Sequence, residues 1–180
     1  MQTELWLVYC GYLAWLSAGL GDFLCHRHTD LPRTSGLAES VAHLLQVGLL
    51  GLAILVGFVF EPGRSILLVL AGVVAVHAVI GYRDTRITFQ RRRVVLPVEQ
   101  HLHSVLDVAP IAALAWFATQ GWPGVVDGHW DIRLRTPAAP LPAWVAVFLP
   151  AAVLCVTPAL MEFVAASRAH RRTIEDARTH

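Results

Sequence analysis

The chain has 180 residues, of which 56% are hydrophobic and only 15% are charged, and its formal net charge is +1. Soluble domains contain about 25% charged residues, so this composition indicates an integral membrane protein. The near-neutral charge excludes a strongly basic nucleic-acid-binding protein. The three cysteines show no paired spacing, which excludes a disulfide framework, a zinc ribbon and an iron–sulfur cluster.

Five apolar stretches are long enough to cross about 30 Å of hydrocarbon as helices. They are predicted at 5–24, 37–60, 65–82, 98–119 and 141–166. The short turn at 61–64 predicts that the second and third spans are antiparallel neighbours. The segment 121–140, rich in proline and glycine, is predicted to be a loop, and three further prolines should kink the fifth span. We expect one all-α transmembrane domain over residues 1–180.

Arginine is distributed unevenly between the two ends of these spans. Only Arg64, Arg133 and Arg135 lie on one side. Eleven lie on the other side, after spans one, three and five: Arg27, Arg33, Arg83, Arg86, Arg91, Arg92, Arg93, Arg168, Arg171, Arg172 and Arg178. The positive-inside rule therefore predicts that the N-terminus lies outside and the C-terminus in the cytoplasm. The run at 91–93 is interpreted as a solvated anchor that faces anionic lipid.

Carboxylates and imidazoles recur at the ends of four spans, several of them four residues apart and therefore on one helix face. Spans one and three end, and spans two and four begin, on the predicted cytoplasmic side, so all these groups should lie in one layer. Ionisable groups in or beside a membrane are costly, which indicates a functional site. The candidates are Asp22 and His26, Glu39 and His43, His77 and Asp84, and Glu99, His103 and Asp107.

Four carboxylates and four imidazoles suit two metal ions with five or six ligands each. This oxygen and nitrogen set favours iron, and manganese or zinc is also compatible. Asp84 and Asp107 compete for the fourth carboxylate position, and either could instead orient an imidazole. His28 and His101 each lie two residues from a candidate ligand and should point away from it, so their role stays open.

Simpler structural roles compete with metal binding. Glu39 and Glu99 fall in the first turn of their helices, where a carboxylate can cap backbone N–H groups, and Pro97 fits the first helical position. A single histidine in an apolar span is more often a hydrogen-bonded core residue. Asp22 has no such alternative, because the dipole at the end of span one disfavours an anion. Span five carries Glu162 but no histidine before position 170, so it is predicted to be a wall beside the site.

The strings DFLCHRH (22–28), ESVAHLLQ (39–46) and PVEQHLHSVLD (97–107) resemble those of a family of uncharacterised small bacterial integral-membrane proteins with DxxxH, ESxxH and EQHxH motifs. This resemblance covers spans one to four. It implies an integral protein of the bacterial inner membrane but no particular activity. The arrangement is more distantly similar to that of membrane diiron hydroxylases and desaturases, which hold their metal on the cytoplasmic side. The HxxxH and HxxHH boxes of those enzymes are absent, and carboxylates replace several of their imidazoles, as in ferritin-like diiron proteins.

The expected function is therefore that of a dimetal, diiron-type oxidoreductase, hydroxylase- or desaturase-like, which acts with O2 on an apolar or lipid-like substrate from the bilayer. A separate electron donor is expected because no flavin or nicotinamide motif is present. A zinc-dependent membrane lipid hydrolase is the nearest alternative. A haem-binding, cytochrome-like protein and a metal or proton transporter are further alternatives. The almost purely apolar outer halves of spans one to four argue against a transport path.

Overall fold

The structure is a computed structural model, and it describes residues 2–30, 36–120, 122, 126 and 130–178; for residues 2 and 3 it describes the backbone alone. Arg33, one of the eleven arginines used to predict the orientation, lies outside the described residues. The same holds for part of the predicted loop at 121–140.

The described part of the chain is all-helical apart from one isolated β-bridge. Five of its helices are long and apolar enough to cross a membrane, which confirms the predicted number of spans. The third and fifth helices continue well past the predicted spans, to residues 90 and 178. The helices are α1 (Gln2–His28), α2 (Leu37–Val59), α3 (Arg64–Gln90), α4 (Pro97–Gln120), α5 (Leu141–Ala151) and α6 (Thr157–Arg178), with a π-helical turn at Ala152–Val156 that joins α5 and α6 into one long helix.

The five long helices form a closed ring. Helix α1 packs against α4, α4 against α3, α3 against α2, α2 against α6, and α6 against α1. The short connection after α2 makes α2 and α3 antiparallel neighbours, as the turn at 61–64 predicts. The ring differs from the expected bundle of four helices with a fifth alongside, because the fifth helix closes the gap between α1 and α2.

Two sets of contacts hold the end of the ring that lies away from the acids and histidines. The segment 133–135 runs beside the α2–α3 turn, where Glu61 N donates to Arg133 O at 2.9 Å and Arg135 N donates to Val59 O at 2.9 Å. The hydroxyls of Tyr9 and Tyr12 donate to the carbonyls of Ala146 and Val147 at 3.0 and 2.7 Å and so fix α1 against α5. These contacts leave the opposite end of the ring to the polar cluster.

Candidate metal centre

Seven of the nine predicted ligands converge inside the ring. They come from the C-terminal end of α1, the N-terminal ends of α2 and α4, and the later part of α3, and they are Asp22, His26, Glu39, His43, Asp84, Glu99 and His103. All except His103 are buried; Glu39 and Glu99 are 0% exposed and His26 is 1% exposed. We call these seven residues the acid–histidine cluster.

One half of the cluster joins α1 and α4. Potential ligand atoms of Asp22, His26, Glu99 and His103 all lie within 4.8 Å of one another. His103 Nε2 is 2.9 Å from Asp22 Oδ1, and His26 Nε2 is 3.4 Å from Asp22 Oδ2 and 3.6 Å from Glu99 Oε1. Metal bonds of about 2.0–2.2 Å place ligand atoms up to about 4.4 Å apart, and these three distances fall within that range, so the group is suitably placed to hold one ion.

The other half joins α2 and α3. Ligand atoms of Glu39, His43 and Asp84 lie within the same 4.8 Å limit. His43 Nε2 is 3.1 Å from Asp84 Oδ2, and Glu39 Oε1 is 4.0 Å from His26 Nε2 in the first half. Three protein ligands leave a coordination position open, which is typical of catalytic rather than structural metal sites. The arrangement therefore offers one four-ligand position and one open position side by side.

Glu162 of α6 also belongs to this site, so the prediction that the fifth span is only a wall is wrong. Its two carboxylate oxygens lie 2.8 Å from His26 Nδ1 and 2.7 Å from His43 Nδ1, and the three residues form a further group within the 4.8 Å limit. A carboxylate on Nδ1 fixes the ring orientation and leaves Nε2 for an ion, as is usual for metal-bound histidines. The sequence contained one indication of this role, because a carboxylate inside an apolar span is energetically costly and therefore suggests a function. Glu162 was not predicted as a site residue because no histidine lies near it in the sequence.

Arg93 is buried in the cluster, which corrects its interpretation as a solvated anchor; Arg91 and Arg92 are exposed, as expected. Its guanidinium donates to Glu39 Oε1 at 2.8 Å, to Glu99 Oε1, and to Thr29 Oγ1 at 2.8 Å. Burial acts to lower the pKa of Arg93, but the hydrogen bonds and charges of the two glutamates outweigh it and raise that pKa above its usual value. Arg93 therefore remains a fixed positive charge at this site.

The end of α3 explains how Arg93 reaches the cluster. Arg92 N donates to Phe89 O at 3.1 Å and Arg93 N to Thr88 O at 3.2 Å, the two bonds of a Schellman motif. Arg92 takes the left-handed position of that motif, with φ 53°, where glycine is the usual residue. The chain therefore reverses direction at Arg92 and carries Arg93 back toward α1, α2 and α4.

Hydrogen bonds inside the protein do not satisfy the cluster. Among the described residues, five of its buried polar atoms make no hydrogen bond of good geometry: Asp22 Oδ1, His26 Nε2, Glu39 Oε2, Asp84 Oδ1 and His103 Nε2. Asp22 Oδ1 and His103 Nε2 lie 2.9 Å apart, but their mutual orientation is poor for a hydrogen bond. Buried polar atoms without partners are rare and costly, and an ion is one recognised explanation. The unpaired set contains lone pairs of both carboxylate and imidazole, which are the donor types that divalent cations bind.

The charges of the buried groups are compatible with two bound cations. The carboxylates of Asp22, Glu39, Asp84, Glu99 and Glu162 carry five negative charges when ionised, and Arg93 supplies one positive charge. With neutral imidazoles, four negative charges are left over. Two divalent cations would balance them. Without ions, protonation of His26, His43 and His103, which pair with Glu162 and Asp22, would offset three of the four charges.

The remaining candidates lie outside these ligand groups. His77 and Asp107 are absent from the groups but line a cavity next to the cluster. The sequence left the choice between Asp84 and Asp107 open, and the structure places Asp84 against His43. His28 and His101 are exposed and outside every group formed by the described residues.

Glu99 caps the N-terminus of its helix, as the simpler structural interpretation predicts, and it also belongs to the acid–histidine cluster. Helix α4 begins at Pro97, and Glu99 Oε2 accepts a hydrogen bond from Leu96 N at 3.3 Å, as in one half of a capping box. The other oxygen of Glu99 faces Arg93 and His26. Glu39 lies in the first turn of α2, and its carboxylate bonds to Arg93 rather than capping that helix.

A cavity of about 320 Å³ begins at the cluster and extends toward the other end of the ring. Asp22, His43, Asp84 and His103 face this cavity, whereas Arg93 contacts Glu39 and Glu99, which do not line it. The cluster therefore has one side open to an apolar chamber and one side closed by a fixed cation.

Comparisons of the chain with protein-family models, with curated proteins and with solved structures give no match. Function is therefore inferred from the geometry of the site.

Proposed function

We propose that this protein is a membrane-embedded dimetal oxidoreductase, of the diiron type, that acts on an apolar or lipid-like substrate. The observation that carries the proposal is the set of five buried ligand atoms that make no well-oriented hydrogen bond, in adjoining ligand groups beside an apolar cavity. The two imidazole rings at the centre of the site are 4.5 Å apart, close to the separation of about 3.5–4 Å between ions in two-metal sites.

The ligand types favour iron or manganese. All three candidate groups in the described chain consist of carboxylate and imidazole, and no thiolate belongs to them. Carboxylates and imidazoles from facing helices are the ligands of the diiron and dimanganese proteins with a helical-bundle site. Such ions activate O2, and in hydroxylation or desaturation a separate donor supplies two electrons and two protons, so that oxygen not inserted into the substrate leaves as water.

The surrounding residues have distinct roles in this proposal. Glu162 holds the two central imidazoles by their Nδ1 atoms, and Arg93 neutralises part of the carboxylate charge. The apolar wall of the cavity excludes water from the open position, which strengthens every electrostatic interaction there. With the predicted orientation, the cluster lies on the cytoplasmic side of the membrane, where a soluble electron donor can reach it.

A zinc-dependent lipid hydrolase is the second candidate, and the open three-ligand position of Glu39, His43 and Asp84 favours it, because catalytic zinc sites keep three protein ligands and a water. The surplus of carboxylates disfavours a haem protein. A transporter is disfavoured by the apolar residues that line the cavity beyond the cluster.

The test is elemental analysis of protein purified from native membranes, together with Mössbauer or electron paramagnetic resonance spectroscopy. We expect about two iron ions per chain with the spectrum of a coupled pair. About two zinc ions would favour the hydrolase instead. Folded protein that binds no transition metal, even after reconstitution, would refute both functions.

A further inference from the structure

The cavity beside the acid–histidine cluster is lined by all five long helices. Its wall on α2 follows one face at spacings of three and four residues, as expected for a single helical stripe. This stripe consists of His43, Gln46, Val47, Leu50, Gly51 and Ile54. Eleven residues at 1.5 Å each give a length of about 16 Å from the cluster to the far end, where Trp15 and Phe148 complete the wall.

The cavity changes character along this length. Next to the cluster, Gln46, His77 and Asp107 add a second tier of polar groups. Gly81 makes room for this tier, because a Cβ at that position would lie 3.2 Å from Asp107 Oδ1 and 3.7 Å from Gln46 Oε1. Beyond it the lining is aliphatic and aromatic. A ligand that matches this wall is polar at one end and apolar along the rest.

From these dimensions we infer that the cavity holds a single unbranched alkyl chain, with its polar end at the cluster and its methyl end against Trp15, Ile54 and Phe148. This inference rests on the proposed function and specifies its substrate class. A volume of about 320 Å³ is at the lower end of the range of about 300–1,000 Å³ for ligand cavities, so the site has room for one chain but not for a whole phospholipid. The reacting carbons are then the first few after the polar group.

Two glycines of α2 provide a matched pair of variants. Gly51 lines the cavity and Gly48 does not, and a Cβ at either position would meet no atom within 4 Å. A large side chain at position 51 therefore enters the cavity, whereas the same side chain at the exposed position 48 enters lipid. Both variants carry the same change in helix propensity and composition.

The test uses the full-length protein in phosphatidylcholine nanodiscs and a saturated fatty acid with a diazirine near its methyl end, which crosslinks to nearby residues on illumination. Peptide mapping should find crosslinks at the far end of the cavity, on Ile54 and Phe148, above the level at the lipid-facing residues Leu45 and Leu52. Gly51→Phe should abolish these crosslinks and shift competition by unlabelled fatty acids toward shorter chains, whereas Gly48→Phe should leave both unchanged.

Equal labelling of lipid-facing and cavity-facing residues would overturn the inference, and so would the absence of any effect of Gly51→Phe. The labelling pattern is measured on the unmodified protein, so it remains decisive even if the variant fails to fold. Metal content is measured on the same samples and separates the two proposals. Cavity crosslinks in protein that binds no metal would refute the oxidoreductase but keep the alkyl chain. Bound metal without cavity crosslinks would refute the alkyl chain but keep the oxidoreductase.

Discussion

The imidazole rings of His26 and His43 lie stacked, with centroids 4.5 Å apart and 6° between their planes, although they belong to two different helices. Both rings turn Nδ1 to the same carboxylate, that of Glu162. In the tautomer with hydrogen on Nδ1, each ring donates to Glu162 and keeps the lone pair of Nε2 for an ion. Two parallel rings held by one anion thus present two donor atoms side by side.

Glu162→Gln should weaken metal binding because it loosens the two imidazoles that Glu162 holds. The amide can accept a hydrogen bond from only one imidazole through its oxygen, so the other ring loses its fixed orientation. Loss of such an outer partner costs about 10–100-fold in metal affinity. Titration of apo-protein with Fe(II) measures the effect, and Glu175→Gln, an exposed position on the same helix, should retain the original affinity. Unchanged affinity in Glu162→Gln would show that the imidazoles need no such support.

Removing ligands from the two halves of the cluster should remove different ions. Asp84→Asn takes a carboxylate from the group on α2 and α3, and His103→Ala takes an imidazole from the group on α1 and α4. Each variant should bind about one ion per chain and the double variant almost none, if the halves are the two sites of a metal pair. Elemental analysis measures this, with Asp131→Asn in the exposed loop as control. Two ions in both single variants would remove these residues from the site.

Arg93→Ala should destabilise the metal-free protein more than the metal-loaded protein. Without metal, removing the guanidinium leaves Glu39 and Glu99 as uncompensated buried charges, a loss of about 3–5 kcal/mol. Bound divalent ions neutralise the same carboxylates and should reduce the loss. Thermal unfolding with and without metal checks this, and the exposed Arg91→Ala serves as control. An equal loss of stability with and without metal would mean that the ions do not neutralise the carboxylates that Arg93 contacts.

His77→Ala and Asp107→Asn should each keep the full metal content. Both side chains line the cavity but belong to none of the ligand groups in the described residues. Their removal should instead weaken the crosslinking of the fatty-acid probe, because they border the polar end of the cavity. A drop to about one ion per chain in either variant would restore that residue to the ligand set predicted from the sequence.

The C-terminus should lie in the cytoplasm. The predicted orientation rests on eleven arginines on one side against three on the other, and the cluster lies at the arginine-rich end. Fusions to green fluorescent protein and to alkaline phosphatase after residue 178 distinguish the two orientations. Fluorescence with no phosphatase activity is expected, and the opposite pattern would place the cluster on the outer side.

Local rules were sufficient to predict much of this molecule. Apolar length gave the five spans, and the four-residue spacing of acids and histidines, together with alternating helix direction, brought Asp22, His26, Glu39 and His43 to one end. The place of Glu162 depends on the rotation of α6 against its neighbours, which no local pattern specifies. Arg93 was missed because three consecutive arginines are alike in sequence, and only the backbone reversal at Arg92 separates the buried one from the exposed pair.

The π-helical turn at Ala152–Val156 has a consequence for how this site can change. An α-helix advances about 100° per residue, so a turn with one extra residue rotates everything that follows by about that angle. Glu162 lies six residues after Val156, the last residue of this turn. Deleting one residue of the turn would turn this carboxylate away from His26 and His43 without changing the sequence of α1 to α4, which carry the acid–histidine cluster. A stretch without acid or histidine thus sets the direction in which Glu162 points, so an insertion or deletion there would change how the two imidazoles are held.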